Sequence, residues 1–158
     1  MTIFTEATHR IRELRAADAR SIAAIDGAHT GKARPKWWQQ TIERHLAGKS
    51  RRVGLVAVEG PKERIVGFLL GQVRAFEFGS DECGWIWAVG VHPEHLHRGI
   101  GRALMQRAKE RFADDGVLLL RTMVRKDDVT TLTFFRSGGF AAGPFVELEL
   151  PSGDGATP

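Results

Sequence analysis

Two apolar segments joined by an amphipathic helix restrict the folds open to this chain more than any other feature. Residues 84–91 (GWIWAVGV) alternate in character as a strand does, and residues 117–124 (VLLLRTMV) are nearly all apolar, as in a strand covered on both faces. Between them, apolar residues recur every four positions, as on one face of a helix: Ile100, Leu104, Ala108 and Phe112. A crossover of this kind is right-handed, so the two strands should run parallel.

The alternation in 84–91 assigns its residues to two faces of the predicted sheet. The larger side chains share one face: Trp85, Trp87, Val89 and Val91. The smaller ones share the other: Gly84, Ile86, Ala88 and Gly90. We expect this second face to leave room for a close neighbour.

The rest of the chain predicts a mixed α/β domain. The first half indicates a strand at 9–15, a helix at 16–25, a loop at 26–35, a helix from Pro35 with Trp38, Ile42 and Leu46 on one face, and a hairpin of strands 53–58 and 65–73. After the crossover, Asp127 or Asp128 can cap a short helix that ends at Gly138-Gly139, and 140–150 predicts a final strand. We expect one domain over 1–150, a disordered tail at 151–158, and a mostly antiparallel sheet of about six to seven strands with about four helices, in the order βααββ-β-α-β-α-β.

Composition narrows the class of protein. A single cysteine, Cys83, excludes an internal disulfide framework and a cysteine-based zinc cluster, and we expect it to be a small buried hydrophobe. No apolar run approaches the ~20 residues needed to cross a membrane, so we expect a soluble, cytoplasmic protein with no membrane partner. The net charge of +4 favours an anionic partner. Only Arg51 and Arg52 are adjacent arginines, so a nucleic-acid partner is not indicated.

The turn between strand 84–91 and the helix carries the chemistry. The chain turns through Pro93 and enters the helix behind Gly99 and Gly101, with arginines beside the glycines. The first N–H groups of a helix lack backbone acceptors and lie at the positive end of its dipole, so they attract anions. Because glycine has no Cβ, a phosphate can approach this backbone closely.

Two motifs resemble the GNAT family of N-acetyltransferases. Residues 91–101 (VHPEHLHRGIG) resemble its acetyl-CoA motif, which commonly reads V-x-P-x-x-[QR]-x-x-G-x-[GA]. Residues 134–140 (FFRSGGF) resemble its second signature, a short helix ending in Y-x-x-x-G-F, and the predicted elements follow the family order from about residue 9 to 150. The resemblance implies an enzyme that transfers the acetyl group of acetyl-CoA to a primary amine of a small molecule or peptide, usually as a homodimer and with no metal.

The resemblance also implies a cofactor site. Backbone amides from His97 to Arg102 would hold the CoA pyrophosphate, and the pantetheine arm would lie between strands 84–91 and 117–124. In the family, the first of these strands carries a bulge and splays from its neighbour. The Val89 N–H would stabilise the tetrahedral oxyanion. The implied cofactor-binding residues are Val89, Gly90, Val91, His97, Arg98, Gly99, Ile100, Gly101, Arg102, Asp128 and Phe135.

Three positions depart from the family pattern. Leu96 stands where Gln or Arg is usual, and Asp128 stands where many members have Asn. Phe135 occupies the place of the tyrosine often credited with protonating the CoA thiolate, and the sequence contains no tyrosine. That general acid is therefore absent, although transfer can continue without it, because a positioned acid typically contributes ~10²–10⁴-fold.

The general base is also missing from its usual place. In the family it commonly lies on the strand before the loop, at the positions of Trp85 and Trp87, and an indole cannot accept a proton. The remaining candidates are a bound water, which we favour, and a carboxylate. The carboxylates are Glu82, which we place first, and Glu77, Asp81 and Asp26.

Other interpretations stay open. A module that binds CoA without catalysis fits the missing acid and base, and turnover with a panel of amines would separate it from an enzyme. A metal site is not expected, because His92, His95 and His97 are closely spaced in a loop and the sequence shows no partner that would orient their rings. The acceptor is not identified by the sequence. Three tryptophans would either line its site or belong to the core: Trp37, Trp85 and Trp87.

Overall fold

The computed structural model describes residues 9–49, 51–75 and 79–153, which fall into two compact units divided between Met123 and Val124. The described strands of the first unit are β1 (His9–Glu13), β2 (Arg52–Glu59), β3 (Arg64–Arg74), β4 (Cys83–Val91) and β5 (Leu120–Arg121). Its α-helices are α1 (Ala19–Thr30), α2 (Pro35–Ala47) and α3 (Ile100–Asp114), and the second unit contains α4 (Val129–Ser137). None of these described helices has the length and apolar character that crossing a bilayer requires.

The sheet of the first unit has the strand order β1-β2-β3-β4-β5. The first four strands pair antiparallel, and β5 pairs parallel to β4. The α/β class, the four helices and the parallel crossover are therefore confirmed. The predicted number of strands is not, because the described residues form a sheet of five.

The discrepancy lies in the two C-terminal strands. Of residues 117–124, only Leu120–Arg121 pair as a strand, and residues 140–150 form no strand at all. Pro144 cannot donate to a ladder, and the described part of the second unit contains no strand with which 145–150 could pair. A segment in which apolar and polar residues alternate forms a strand only where another strand is available to pair with it.

α1 extends five residues into the segment predicted as a loop. A 3-10 turn at Ala16–Asp18 precedes it, and it ends where Gly31 adopts a φ of 75° and donates its N–H to Gly27 O at 2.9 Å. This is the left-handed cap that glycine adopts without steric penalty. The two glycines of the segment therefore belong to the last turn of a helix and its cap, rather than to a long loop.

α2 begins at Pro35 as predicted, but it buries a different third residue. Trp38 and Ile42 are buried, whereas Leu46 is 46% exposed and the preceding His45 is 4% exposed. His45 stands 5.9 Å from the Trp87 ring. Burial, assisted by the positive charge of Arg52, lowers the pKa of His45 below its ordinary value.

We expect this histidine to make the fold less stable in mild acid. Because the pKa of His45 is lowered in the folded state, the unfolded chain binds the proton more readily as the pH falls through about 6.5, and the free energy of unfolding then decreases. Urea unfolding at about pH 8 and about pH 5.5 measures the change. His45→Leu should remove part of this pH dependence, and an unchanged slope in that variant would show that His45 does not cause it.

A β-bulge interrupts β4. Leu70 pairs with Ala88 and the next residue, Gly71, pairs with Ile86, so Trp87 is an extra residue opposite β3. Two adjacent residues at a bulge share a face, and Trp87 and Ala88 both pack against the core under α1 and α2. After the bulge, the side chains of β4 therefore point to the opposite face of the sheet from the one that regular alternation would give them.

The bulge makes the predicted faces wrong for the second half of β4. A Cβ on Gly84 would lie 2.8 Å from the Phe112 ring of α3, as expected for one face. A Cβ on Gly90 would instead lie 2.8 Å from Phe68, which belongs to the core under α1 and α2. Gly84 and Gly90, six residues apart, should share a face in a regular strand, and they face opposite sides here.

α3 covers the other face of the sheet. Its predicted apolar stripe is confirmed, because four residues are at most 1% exposed: Ile100, Leu104, Ala108 and Phe112. Glycines in the sheet allow α3 to pack closely against it, since a Cβ on Gly67 would lie 2.9 Å from Ile100. Gly67 pairs with Val91 in the sheet, so the first residue of α3 is held beside the end of β4.

Candidate functional site

The second half of β4 is separated from β5. Among the described residues, β5 pairs only with Gly84 and Trp85. Beyond them, Thr122 Oγ1 donates to Ile86 O at 2.9 Å. The bulge at Trp87 follows directly, so the parallel pairing described for β4 ends just before the irregularity in that strand.

This separation leaves backbone groups of β4 facing an open side. The N–H of His92 donates to Val66 O of β3 at 2.8 Å. Because backbone groups alternate along an antiparallel strand, the N–H groups of Val89 and Val91 point away from β3. They face the side that β5 does not occupy in the described pairing.

The loop after β4 is a compact turn with two left-handed residues. Pro93–His95 form a 3-10 turn, within which the His95 N–H donates to His92 O at 2.8 Å. His97 adopts a φ of 63° and Gly99 a φ of 76°. Glycine accepts this conformation freely, whereas a non-glycine residue such as His97 adopts it at some cost.

The N-terminus of α3 is open. Gly99 is the N-cap and has no side chain with which to cap the helix, and the first intrahelical bond runs from the Ala103 N–H to Gly99 O at 3.0 Å. The N–H groups of Ile100, Gly101 and Arg102 precede that bond and have no acceptor within the helix. A Cβ on Gly99 would contact no atom within 4 Å, so the backbone is accessible to an anion.

Contacts with Glu59 anchor this loop to β2. His95 Nε2 lies 3.2 Å from Glu59 Oε2, and the side chains are 9% and 17% exposed. Arg98 Nη1 lies 3.9 Å from the other oxygen of Glu59. One carboxylate at the end of β2 therefore contacts residues on both sides of Leu96 and His97.

The geometry does not favour Glu82 as a base. It lies seven residues before Val89, which corresponds to about 23 Å along an extended strand. Its carboxylate pairs with Arg51 and raises the pKa of that guanidinium through the hydrogen bond. Asp81 lies beside it and is exposed, and Glu77 lies outside the described residues.

Asp26 has a structural role between α1 and α2. Its Oδ2 accepts from Trp38 Nε1 at 2.9 Å and from Arg34 Nε and Nη2 at 3.2 and 3.0 Å. The side chain is 13% exposed. Its Oδ2 is therefore occupied by donors of the protein itself.

One titratable side chain that the sequence does not indicate approaches the open side of β4. His29, on the last turn of α1, places Nε2 2.6 Å from Val91 O. Because a carbonyl oxygen only accepts, Nε2 carries the proton in this contact, and Nδ1 of the neutral ring is the basic nitrogen. The sequence conceals this residue because the glycines and proline of 26–35 predict a loop, in which His29 has no predictable direction.

The tryptophans divide between surface and core. Trp37 is 42% exposed, and the Arg34 guanidinium stacks 4.4 Å from its ring centroid. Trp87 packs against the core of α1 and α2, and Arg74 lies 5.8 Å from the Trp85 ring centroid. Of the three candidates for an acceptor wall, Trp37 is therefore the one most exposed to solvent.

The second unit holds the remaining predicted residues. Asp128 is the N-cap of α4 and accepts the Thr131 N–H at 3.0 Å, a bond that lowers the pKa of its carboxyl group. Phe135 is 5% exposed and packs edge-on against Phe134 and Phe140, with ring centroids 5.2 and 5.0 Å away. The short helix is thus present and capped as predicted, although its threonines and Val129 are poor helix formers.

Comparison with known proteins identifies relatives of this chain. An 82-residue segment is 33% identical to an L-2,4-diaminobutyric acid acetyltransferase of Nocardia farcinica, covering 52% of this chain and 41% of that protein. An 86-residue segment is 30% identical to a mycothiol acetyltransferase of Kocuria rhizophila, covering 54% and 28%. The chain thus matches less than half the length of either of these curated relatives.

The fold is shared with solved structures. An aminoglycoside N-acetyltransferase, AAC(6')-Iy, in complex with CoA matches with a TM-score of 0.78 at 13% identity, over 91% of this chain and 95% of that one. A family model described as Acetyltransferase (GNAT) family matches residues 9–140. This match spans both signature motifs and every described strand and helix, and the chain belongs to the GNAT acetyltransferase family.

Proposed function

We propose that this protein is an acetyl-CoA-dependent N-acetyltransferase that acts on a primary amine of a small molecule or peptide. The observation that carries the proposal is the pair of Val89 and Val91 N–H groups on the open side of β4, beside an uncapped α3 N-terminus. The family match and a similar fold solved with CoA support the choice of cofactor. One relative's acceptor, L-2,4-diaminobutyric acid, contains primary amines and supports the choice of substrate.

In this proposal the CoA pyrophosphate lies on the loop from His97 to Arg102. The open N–H groups of α3, the dipole of the helix and two flanking arginines favour its negative charge. The pantetheine arm then hydrogen-bonds the backbone of β4 from Val89 to Val91, including Gly90. Asp128 and Phe135, in the second unit, are assigned to the cofactor by the family resemblance alone.

The chemical step is attack of a neutral amine on the thioester carbonyl. The tetrahedral intermediate carries a negative oxygen, and the Val89 N–H is the donor proposed to stabilise it. A backbone donor in this position is already oriented before the reaction begins, so it costs no reorganisation. Collapse of the intermediate forms the amide bond, breaks the C–S bond and releases CoA as thiolate.

We assign the acceptance of the ammonium proton to His29, acting through one water. The imidazole contacts Val91 O, and Val91 lies two residues, about 7 Å along the strand, from Val89. That separation is too long for direct contact, so a bridging water is part of the proposal. This assignment keeps the water route that the sequence favours and adds the group to which the water transfers the proton.

Phe135→Tyr tests the missing general acid. We expect the variant to keep its activity or gain modestly, because the family resemblance assigns this position to the proton donor for the leaving thiolate. Steady-state kcat with acetyl-CoA, together with the melting temperature, measures the effect. The ring is 5% exposed, so a large loss of stability would instead show that the hydroxyl finds no partner there.

A module that binds CoA without catalysis is the second candidate function, and Phe135 in place of tyrosine is the observation that favours it. An acceptor screen separates the two. Purified protein is incubated with acetyl-CoA and a panel of diamines, amino acids, aminoglycosides and peptides, and release of free thiol is followed. Amine-dependent release above the hydrolysis rate supports the enzyme, whereas CoA binding without any release supports the module.

A further inference from the structure

We propose that the turn between β4 and α3 binds a divalent transition-metal ion of the zinc class through His92, Glu94 and His95. One ligand atom from each of these residues lies within 4.8 Å of the other two. The set differs from the three histidines that stand out in the sequence, since Glu94 takes the place of His97. Two imidazoles and one carboxylate are a donor set that zinc accepts, with a fourth position left for water.

The nitrogen of His92 that can bind a metal is identifiable. The Glu94 N–H donates to His92 Nδ1 at 3.2 Å, so Nδ1 is the unprotonated nitrogen of this ring, and a metal ion bound there would take the place of that long hydrogen bond. Glu94 Oε2 lies 4.0 Å from the same atom. Around a tetrahedral zinc ion with bonds of 2.0–2.2 Å, neighbouring ligand atoms are about 3.4 Å apart. Because the three ligand atoms are within 4.8 Å of one another but not yet at that spacing, a metal ion would draw them together, chiefly by rotation of the exposed Glu94 side chain.

His95 supplies an independent indication of a ligand. Its side chain is 9% exposed, and its Nδ1 is buried with no hydrogen-bond partner among the described residues. Native proteins rarely leave a buried polar atom unpaired, and a bound ion can satisfy such an atom. The His95 ring also packs edge-on against the His92 ring, with centroids 5.5 Å apart, so the two imidazoles lie next to each other in this turn.

Glu59 contacts the ring nitrogen of His95 that would not bind the metal ion. It lies 3.2 Å from His95 Nε2, so Nε2–H can donate to its carboxylate while Nδ1 keeps its lone pair. Metal-binding histidines typically donate their second nitrogen to such a carboxylate, which orients the ring and increases its basicity. Local sequence does not reveal this partner, because Glu59 lies 36 residues away, at the end of β2.

The surrounding charges permit a cation. Arg64 lies 3.7 Å from Glu94, and Arg98 lies 3.9 Å from Glu59. All three of Arg64, Arg98 and Glu94 are about half exposed or more, so these ion pairs are weak and can separate when a metal ion binds. Bound metal would hold the turn that leads directly into the proposed pyrophosphate loop.

Cobalt titration of the full chain tests this site without reference to acetyl transfer. Co²⁺ bound to a His-His-Glu set should give visible absorption of a low-coordinate ion, and Zn²⁺ should displace it. We expect His92→Ala and Glu94→Gln to weaken Co²⁺ binding at least about tenfold. Glu59→Gln should weaken it by about 10–100-fold, as for other carboxylates behind a histidine ligand.

His97→Asn is the matched control. It removes a neighbouring histidine outside the set, and Asn tolerates the left-handed backbone at this position. The proposal is overturned if the wild-type chain shows no saturable binding, or if His97→Asn loses as much affinity as His92→Ala, which would indicate an adventitious ion only. His95 is too deeply buried for a substitution to be interpretable, and circular dichroism of the other variants verifies their folding.

Discussion

Replacing Gly99 and Gly101 together by glutamate is expected to abolish the stabilisation of this protein by CoA. Ligand at about 100 times its Kd stabilises a folded chain by about 2.7 kcal/mol. In a chain of this size that corresponds to about 5–10 °C in Tm. Two carboxylates at the α3 N-terminus would repel the pyrophosphate and occupy the space above Gly99 that the structure shows to be open. Differential scanning fluorimetry with and without CoA measures the shift.

Gly60→Glu is the control for backbone strain. Gly60 adopts a φ of 71°, close to the 76° of Gly99, and a Cβ there would also contact no atom within 4 Å. Glutamate at Gly60 and at Gly99 should therefore each lower Tm in the absence of ligand by a similar amount, through the left-handed backbone. Only the double variant of Gly99 and Gly101 should lose the increase in Tm that CoA produces. An undiminished shift in the double variant would place the pyrophosphate elsewhere.

Replacing His29 by glutamine is expected to lower kcat by ~10²–10⁴-fold, the contribution of a positioned general base. Gln can still donate a hydrogen bond to Val91 O, where His29 Nε2 now lies at 2.6 Å, but it has no basic nitrogen. The variant therefore keeps the contact and loses the proton acceptor. The acidic limb of the pH–rate profile should disappear as well, which steady-state rates across the pH range would show.

Two further variants separate proton transfer from structure. His29→Ala removes both the base and the contact, so it should match His29→Gln in kcat if the base dominates. Glu82→Gln, at the far end of β4, should change kcat by well under the ~10² lower limit for a direct base. A wild-type rate in His29→Gln would mean that water carries the proton away without this histidine. A drop of three orders of magnitude in folded Glu82→Gln would restore that carboxylate as the base.

Local sequence determined the elements whose residues lie close together in the chain. The stripe from Ile100 to Phe112, the start of α2 at Pro35 and the cap of α4 by Asp128 all depend on spacings of three or four residues. The same is true of the loop around Gly99, because an uncapped helix N-terminus behind a strand is a local feature. The family resemblance carried by these segments is therefore visible without knowledge of any tertiary contact.

Only the tertiary structure decided the points that depend on distant partners. A bulge at Trp87 appears when β3 and β4 are paired, and it reverses the faces of Ala88 and Gly90. Residues 140–150 have the alternation of a strand and lack a partner strand among the described residues of their unit.

Two contacts of the candidate site could be found only from the tertiary structure: His29 with Val91, and His95 with Glu59. The partners lie 62 and 36 residues apart in the sequence. A periodic pattern in the sequence shows which side of an element is apolar. It does not show which polar atom of another element meets it, because that depends on how the sheet pairs, twists and bulges.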